Sequence, residues 1–290
     1  MTAQDVKASA PLELRGERKR SPLASFGLHA TLLVASVIAV FPILWLLLTS
    51  LKPAELATTT DFFRETTLAN YTRVLTDTPF LSWFWNSLFI AFVTVVVGVF
   101  ISATTGYAIS RFRFPGMRPL MWTLLVTQMF PMAILIVPLY NLLSNMGLLN
   151  QPVGLIITYL TIAVPFCAWM MKGFFDAIPV EIDESGRVDG LNPFGVFWRL
   201  ILPLARPGLA VTGFYAFITA WGEVAYASAF MVGEDSMTLA GGLQTFVNQY
   251  TAQWGPMTAA AVLIAIPAAI VFLFAQKHLV TGMTAGATKG

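Results

Sequence analysis

One carboxylate, Glu223 in the segment AWGEVAYAS, interrupts an otherwise uncharged apolar stretch of this 290-residue chain. An ionisable group at membrane depth is costly and is a functional hypothesis by default. Three roles are open for it: a subunit contact or a kink beside Gly222, a pathway group, or a proton-coupling carboxylate. A proton-driven carrier is expected to bury more than one such group. The second concentration of polar chemistry is DAIPVEIDESGRVDGLNPFGVFWRLILPLARP, residues 176–207, with five of the fifteen acids beside three arginines. Enzymatic and metal chemistry finds no local counterpart. His29 and His278 lie near opposite ends and Cys167 is alone, so no disulfide, metal site or catalytic cluster is expected. His29 suits an interfacial position. The chain has no H-E-x-x-H, no G-x-S-x-G and no G-x-x-x-x-G-K-[ST] phosphate loop.

The elements that must position these groups follow from composition. Hydrophobic residues make up 57% and charged residues 11% of the chain, against about 25% charged in a soluble domain. Mean hydropathy is +0.72. Neither a soluble globule nor a disordered chain fits, and an all-α polytopic membrane protein does. The stretches 21–51, 78–110, 119–171 and 236–276 carry no Asp, Glu, Lys or Arg. With about 20 residues needed per span, we expect six transmembrane helices near 26–50, 83–109, 120–143, 153–171, 209–232 and 257–276. Internal prolines are tolerated in such helices. The run from Phe26 to Ser50 is too long for a signal-peptide core and reads as a span that stays.

Six spans divide the chain into a segment 1–25, a transmembrane domain 26–277 and a tail 278–290. They place both termini on one side with the loops 110–118 and 172–206. That side holds fourteen of the seventeen basic residues, so it is expected to be cytoplasmic. In the external loop 51–82, Leu68, Tyr71, Val74 and Leu75 have the spacing of a short surface helix. An ordinary loop anchored by Trp83 and Trp85 is the alternative. The tail MTAGATKG is glycine-rich and expected to be disordered alone, and contact with cytoplasmic partners is a hypothesis for it.

Within 176–207 the local grammar is helix, turn, helix. Pro179 suits a first helical position, and Glu181, Asp183 and Glu184 fall where the helix dipole favours anions. Gly190 can take the left-handed conformation that ends a helix. Asn192 then caps a second helix that starts at Pro193 and shows Phe194, Phe197, Trp198 and Ile201 at helical spacing. Pro203 and Pro207 end it. Such a pair suits a protein-docking element, or equally an interfacial loop with its aromatics among lipid headgroups.

The segment ESGRVDG, followed after nine residues by LILP, resembles the EAA motif of ABC importer permeases, E-A-A-x-x-x-G-x9-I-x-L-P. The match falls on Glu184, Gly190, Leu202 and Pro203, with Asp189 also family-like. Ser185 and Gly186 replace the paired alanines, and Leu200 stands where isoleucine is usual. Gly186 is expected to weaken its helix by about 1 kcal/mol relative to alanine. NYTRVL, GYAISRFRFPG, FPMAILIVPLY and LVTGMTAGATKG also look like the carbohydrate-type permeases. The likeness is strongest to the smaller, six-helix permease subunit of maltose/maltodextrin importers, and it covers nearly the whole chain.

This resemblance implies a type I (MetI-like) importer permease in a bacterial cytoplasmic (inner) membrane. It implies pairing with a similar permease subunit, docking of the 176–207 loop as a coupling helix on an ATP-binding subunit dimer, and delivery of sugar by an extracytoplasmic binding protein. The chain itself is then not an enzyme and binds no cofactor, with ATP and Mg on the partner subunits. Maltose, maltodextrin or a related oligosaccharide such as trehalose is the implied cargo. The alternatives are an ion-coupled secondary carrier or a permease of the same superfamily for a non-sugar solute. Tyr215, Trp221, Tyr226 and Gln128 offer aromatic faces and an amide to a sugar, with ordinary helix packing as the competing role.

Overall fold

The computed structural model describes residues 22–60, 65–247 and 253–287, all helix and connecting segments apart from a single bridge residue. The chain divides into two compact units, Met1–Trp45 and Leu46–Gly290. The first contains most of helix α1 (Pro22–Ser50), which stays helical through Pro42. Within it the Phe41 and Trp45 rings lie 5.9 Å apart, and His29 Nδ1 lies 2.7 Å from the Ser25 carbonyl oxygen, one turn back. The expected segment 1–25 lies largely outside the described residues.

In the second unit, the end of α1 leads to a short helix, α2 (Ala69–Thr76). Its expected stripe divides. Val74 is buried and Tyr71 packs on the core, whereas Leu68 and Leu75 stay exposed. The polar Asn70 turns inward instead, because its amide donates to the carbonyls of Ser50 (2.9 Å) and Lys52 (2.7 Å). Buried carbonyls need such donors, so one amide ties α2 to the chain that precedes it. Of the two expected aromatic anchors, Trp85 is exposed and Trp83 is buried, its indole N–H donating to the Glu234 carbonyl at 3.1 Å.

Helices α3 (Phe80–Arg111) and α6 (Pro152–Asp176) form the most extensive pair in the unit. Gly98, Ser102 and Gly106 recur every fourth residue on the buried face of α3. Small residues at this spacing let two membrane helices approach closely. A methyl group on Gly106 would sit 2.9 Å from the Lys172 backbone nitrogen of α6, so the two backbones leave no room there for any side chain.

Two expected continuous spans are broken. In place of one helix over 120–143 there are α4 (Met117–Thr127) and α5 (Met132–Asn145), bent by 105°. Pro131 sits at the break in an extended conformation; it has no N–H to donate and pushes its predecessor out of the helical region. Past α6 lie α7 (Glu181–Val188) and α8 (Pro193–Leu204), and α8 meets α9 (Arg206–Gly222) at 80°. The expected helix over 209–232 ends at Gly222, where Glu223 is extended, and resumes as α10 (Ala225–Phe230). After α11 (Leu239–Leu243), α12 (Trp254–Ala287) runs on beyond residue 277 through most of the expected tail.

Four helices are long and apolar enough to cross a bilayer, or up to six if each bent pair is one span, among the described residues. The core of the unit is formed by α3, α6, α9 and α12, with Trp221 and Tyr159 among its buried aromatics.

Candidate functional site

The helix pair α7–α8 is assembled by local rules. Gly190 has φ +84°, its N–H donates to the Arg187 carbonyl and the Leu191 N–H to that of Gly186. These two bonds are the paired closure of a Schellman turn, which requires the left-handed residue. Two residues on, the Asn192 side chain accepts from the Gly195 N–H at 2.7 Å and opens α8 with Pro193 behind it. Inside α8 the residues Phe197–Ile201 form a π turn, in which the Leu202 N–H reaches back to Phe197. Pro203 explains the widening, because its ring cannot sit against the Arg199 carbonyl in a regular turn.

This geometry distributes the expected coupling residues. Glu184, Ser185, Asp189 and Gly190 are exposed along α7 and its turn, Leu202 is half-buried and Pro203 exposed. Gly186 is buried, and a methyl group there would lie 2.5 Å from Leu200 Cδ1 and 3.1 Å from Val196 Cγ2. The two departures from the EAA pattern therefore meet in space: the branched end of Leu200 occupies the room an alanine methyl would need. The apolar stripe of α8 splits, with Phe197 and Ile201 buried and Phe194 and Trp198 exposed.

One buried contact of this region, among Asp183, Tyr107 and Arg111, has no counterpart in the sequence expectations. Asp183 is buried, accepting from the Tyr107 hydroxyl at 2.7 Å and paired with the Arg111 Nε at 3.0 Å. Arg111 also donates to the Ile178 carbonyl at 2.8 Å. In the sequence Asp183 is one of three acids in a first turn. The available signal was its place three residues before Gly186, which puts both on one face of α7.

A second cluster forms where the two broken spans meet. The Glu223 carboxylate accepts from the N–H groups of Tyr226 (2.9 and 3.1 Å) and Ala227 (3.0 Å) and from the Tyr159 hydroxyl (3.2 Å). These backbone donors open α10 and have no partner within it. The Tyr226 hydroxyl donates to the Met132 carbonyl at the start of α5 (3.2 Å), and the Gln128 amide to Ile162 of α6 (3.2 Å). Gln128 and Tyr226 line one cavity of about 370 Å³ with Thr127, Phe130 and Thr161. Trp221 lies elsewhere, buried against Phe217 and donating to the Ile264 carbonyl at 3.2 Å. Tyr215 packs on Phe166 with ring centroids 4.4 Å apart. The structure thus brings together Gln128, Tyr226 and Glu223 and keeps Tyr215 and Trp221 apart from the cavity lining.

Broken spans around a cavity, with irregular backbone satisfied by protein groups, define a helical membrane protein of the transporter kind. The family model described as "Binding-protein-dependent transport system inner membrane component" matches residues 98–285, and the chain belongs to that family. It is 42% identical over 218 residues to the maltose/maltodextrin transport system permease protein MalG of Salmonella typhimurium, covering 73% of each chain. The maltodextrin transport system permease protein MdxG of Bacillus subtilis is 34% identical, over 89% of this chain and 94% of its own. The inner membrane ABC transporter permease protein YcjP of Escherichia coli is 33% identical, over 92% and 98%. Among solved structures, a chain from a bacterial ABC transporter involved in the import of the acidic polysaccharide alginate superposes with TM-score 0.75 at 24% identity, covering 87% of this chain and 96% of the other. The fold is thereby the all-helical, MetI-like fold of type I ABC permeases.

Proposed function

We propose that the chain is a permease subunit of an ATP-driven sugar importer of the maltose/maltodextrin type. The observation that carries this reading is the exposed α7–α8 pair closed by Gly190 at φ +84°, on a chain whose relatives include MalG and MdxG. In this reading α7–α8 is the coupling helix pair. Glu184 and its exposed neighbours dock on an ATP-binding subunit dimer, which holds the ATP and Mg. A second permease subunit completes the pathway, and an extracytoplasmic binding protein delivers the sugar.

Counting α4 with α5 as one span and α9 with α10 as another makes six spans with α1, α3, α6 and α12, and leaves both termini and α7–α8 in the cytoplasm, a reading supported by the distribution of basic residues. The cavity beneath the two breaks is the part of the pathway this subunit contributes, with Gln128 and Tyr226 facing the sugar and Glu223 holding the break. Gln128→Ala removes one amide from its wall. Sugar uptake by the reconstituted complex should then fall about two- to tenfold, the range of one hydrogen bond.

Purification from detergent tests the assignment as a whole. A second permease chain and an ATP-binding chain are expected to co-purify, and their absence would remove the importer reading. In a Cys167→Ser background, Val188→Cys, at a position 87% exposed, should react with an impermeant thiol reagent from the cytoplasmic face only.

A further inference from the structure

Glu184, Ser185, Asp189 and Gly190 of the coupling motif lie exposed along α7 and its turn, whereas the contacts that tie α7 to its neighbours lie on its other side. Asp183 and Gly186 are the buried residues of α7. Gly186 packs on Val196 and Leu200, which joins α7 to α8. Asp183 faces α3, where it meets the Tyr107 hydroxyl at 2.7 Å and the Arg111 guanidinium at 3.0 Å, with side-chain exposures of 8% for Arg111 and 2% for Asp183.

The guanidinium also holds the chain that leads into α7, through Ile178 O at 2.8 Å. Its remaining nitrogen donates to Ser110 Oγ at 3.2 Å, and Ser110 donates in turn to Asp176, the last residue of α6, at 2.7 Å. Lys172 of α6 pairs with the same carboxylate at 2.5 Å. The Tyr107 ring is the apolar half of the arrangement, with centroids 5.6 Å from Phe175 of α6 and 4.8 Å from Phe197 of α8. Four helices therefore converge on one buried carboxylate and the two α3 side chains that hold it.

We infer that the Asp183–Arg111 pair, with Tyr107, is the joint through which movement of the coupling helices reaches spans α3 and α6. The inference rests on the importer assignment and deepens it. Apolar side chains can slide past one another at small cost. A buried charge pair cannot separate without stranding two desolvated ions, and its hydrogen bonds fix direction as well as distance. A push on the exposed face of α7 is thus delivered to the ends of α3 and α6 instead of being absorbed by a swivel of α7 on its turn. Asp183, Arg111 and Tyr107 are positioning residues: they act through the helices and touch neither sugar nor nucleotide.

The test uses the complete importer in proteoliposomes, with its partner permease, ATP-binding subunits and binding protein, and radiolabelled maltose and maltotriose as probes. Uptake and ATP hydrolysis are measured together. Asp183→Asn is expected to keep ATP hydrolysis within about twofold and to lower sugar taken up per ATP about tenfold, a common size for coupling between sites. Arg111→Gln and the double variant should show the same loss, since residues that act as a pair are not additive. Tyr107→Phe removes one hydroxyl and leaves the ring packing, and it should lower the ratio about threefold, which keeps the proposal testable where Asp183→Asn does not assemble. A merely structural anchor would lower yield, uptake and hydrolysis in parallel and leave sugar per ATP unchanged. That result, or additive losses in the double variant, overturns the joint. A wild-type complex that takes up neither sugar overturns the importer reading and this inference with it, whereas coupled wild type with coupled variants overturns the joint alone.

Discussion

Gly190→Val is expected to leave the chain inserted and the complex assembled while separating ATP hydrolysis from sugar uptake. Nothing lies within 4 Å of a Cβ placed on Gly190, so valine meets no clash, but the backbone is held at φ +84°. A left-handed conformation costs an L-residue roughly 1–2 kcal/mol, and it is a genuine outlier for a β-branched one. The Schellman bonds from Gly190 to Arg187 and from Leu191 to Gly186 then open, and α7 and α8 change their mutual angle. Asparagine tolerates the left-handed region, so Gly190→Asn should stay coupled. The measurement is uptake and ATP hydrolysis side by side in proteoliposomes. Undiminished sugar uptake by the valine variant would count against a coupling role for this turn.

The second large effect is expected at Glu223. Alanine there removes the acceptor for two backbone N–H groups of α10 and for the Tyr159 hydroxyl. Each donor left without a partner in a buried setting costs about 1–3 kcal/mol. Glu223→Ala should therefore destabilise the protein by about 2 kcal/mol or more, seen as a clear drop in thermal stability of the detergent-solubilised complex. Glu223→Gln retains one oxygen acceptor and should cost about 1 kcal/mol, with uptake largely preserved. This pair of variants separates the roles left open by the sequence. A proton-coupling carboxylate would lose transport as fully with glutamine as with alanine, whereas a group that holds a break in a helix would not.

The sequence was a good guide wherever the controlling interaction was local. Asn192, Pro193 and Gly190 act on neighbours within three residues in the chain, and the structure has the cap and the turn where the residue types put them. It was a poorer guide to continuity. Apolar length alone makes 120–143 and 209–232 look like single helices, yet each is interrupted. The interruption at Gly222 depends on Glu223 finding Tyr159, 64 residues away, and no window of hydropathy contains that information. On α2, likewise, Asn70 is drawn inward by the carbonyls of Ser50 and Lys52, 20 and 18 residues earlier.

By itself the sequence determined that the chain belongs in a bilayer, roughly where it crosses, and which loop carries a charged helix pair joined by a glycine turn. Those properties follow from hydrophobic periodicity, capping and turn chemistry, which act over a few residues. Tertiary structure alone decided which acid of α7 is buried, that Arg111 is its partner 72 residues earlier, and that the two breaks share a cavity. A buried charge or an unpaired helix end must find its complement in space, and only packing the helices together brings that complement within reach.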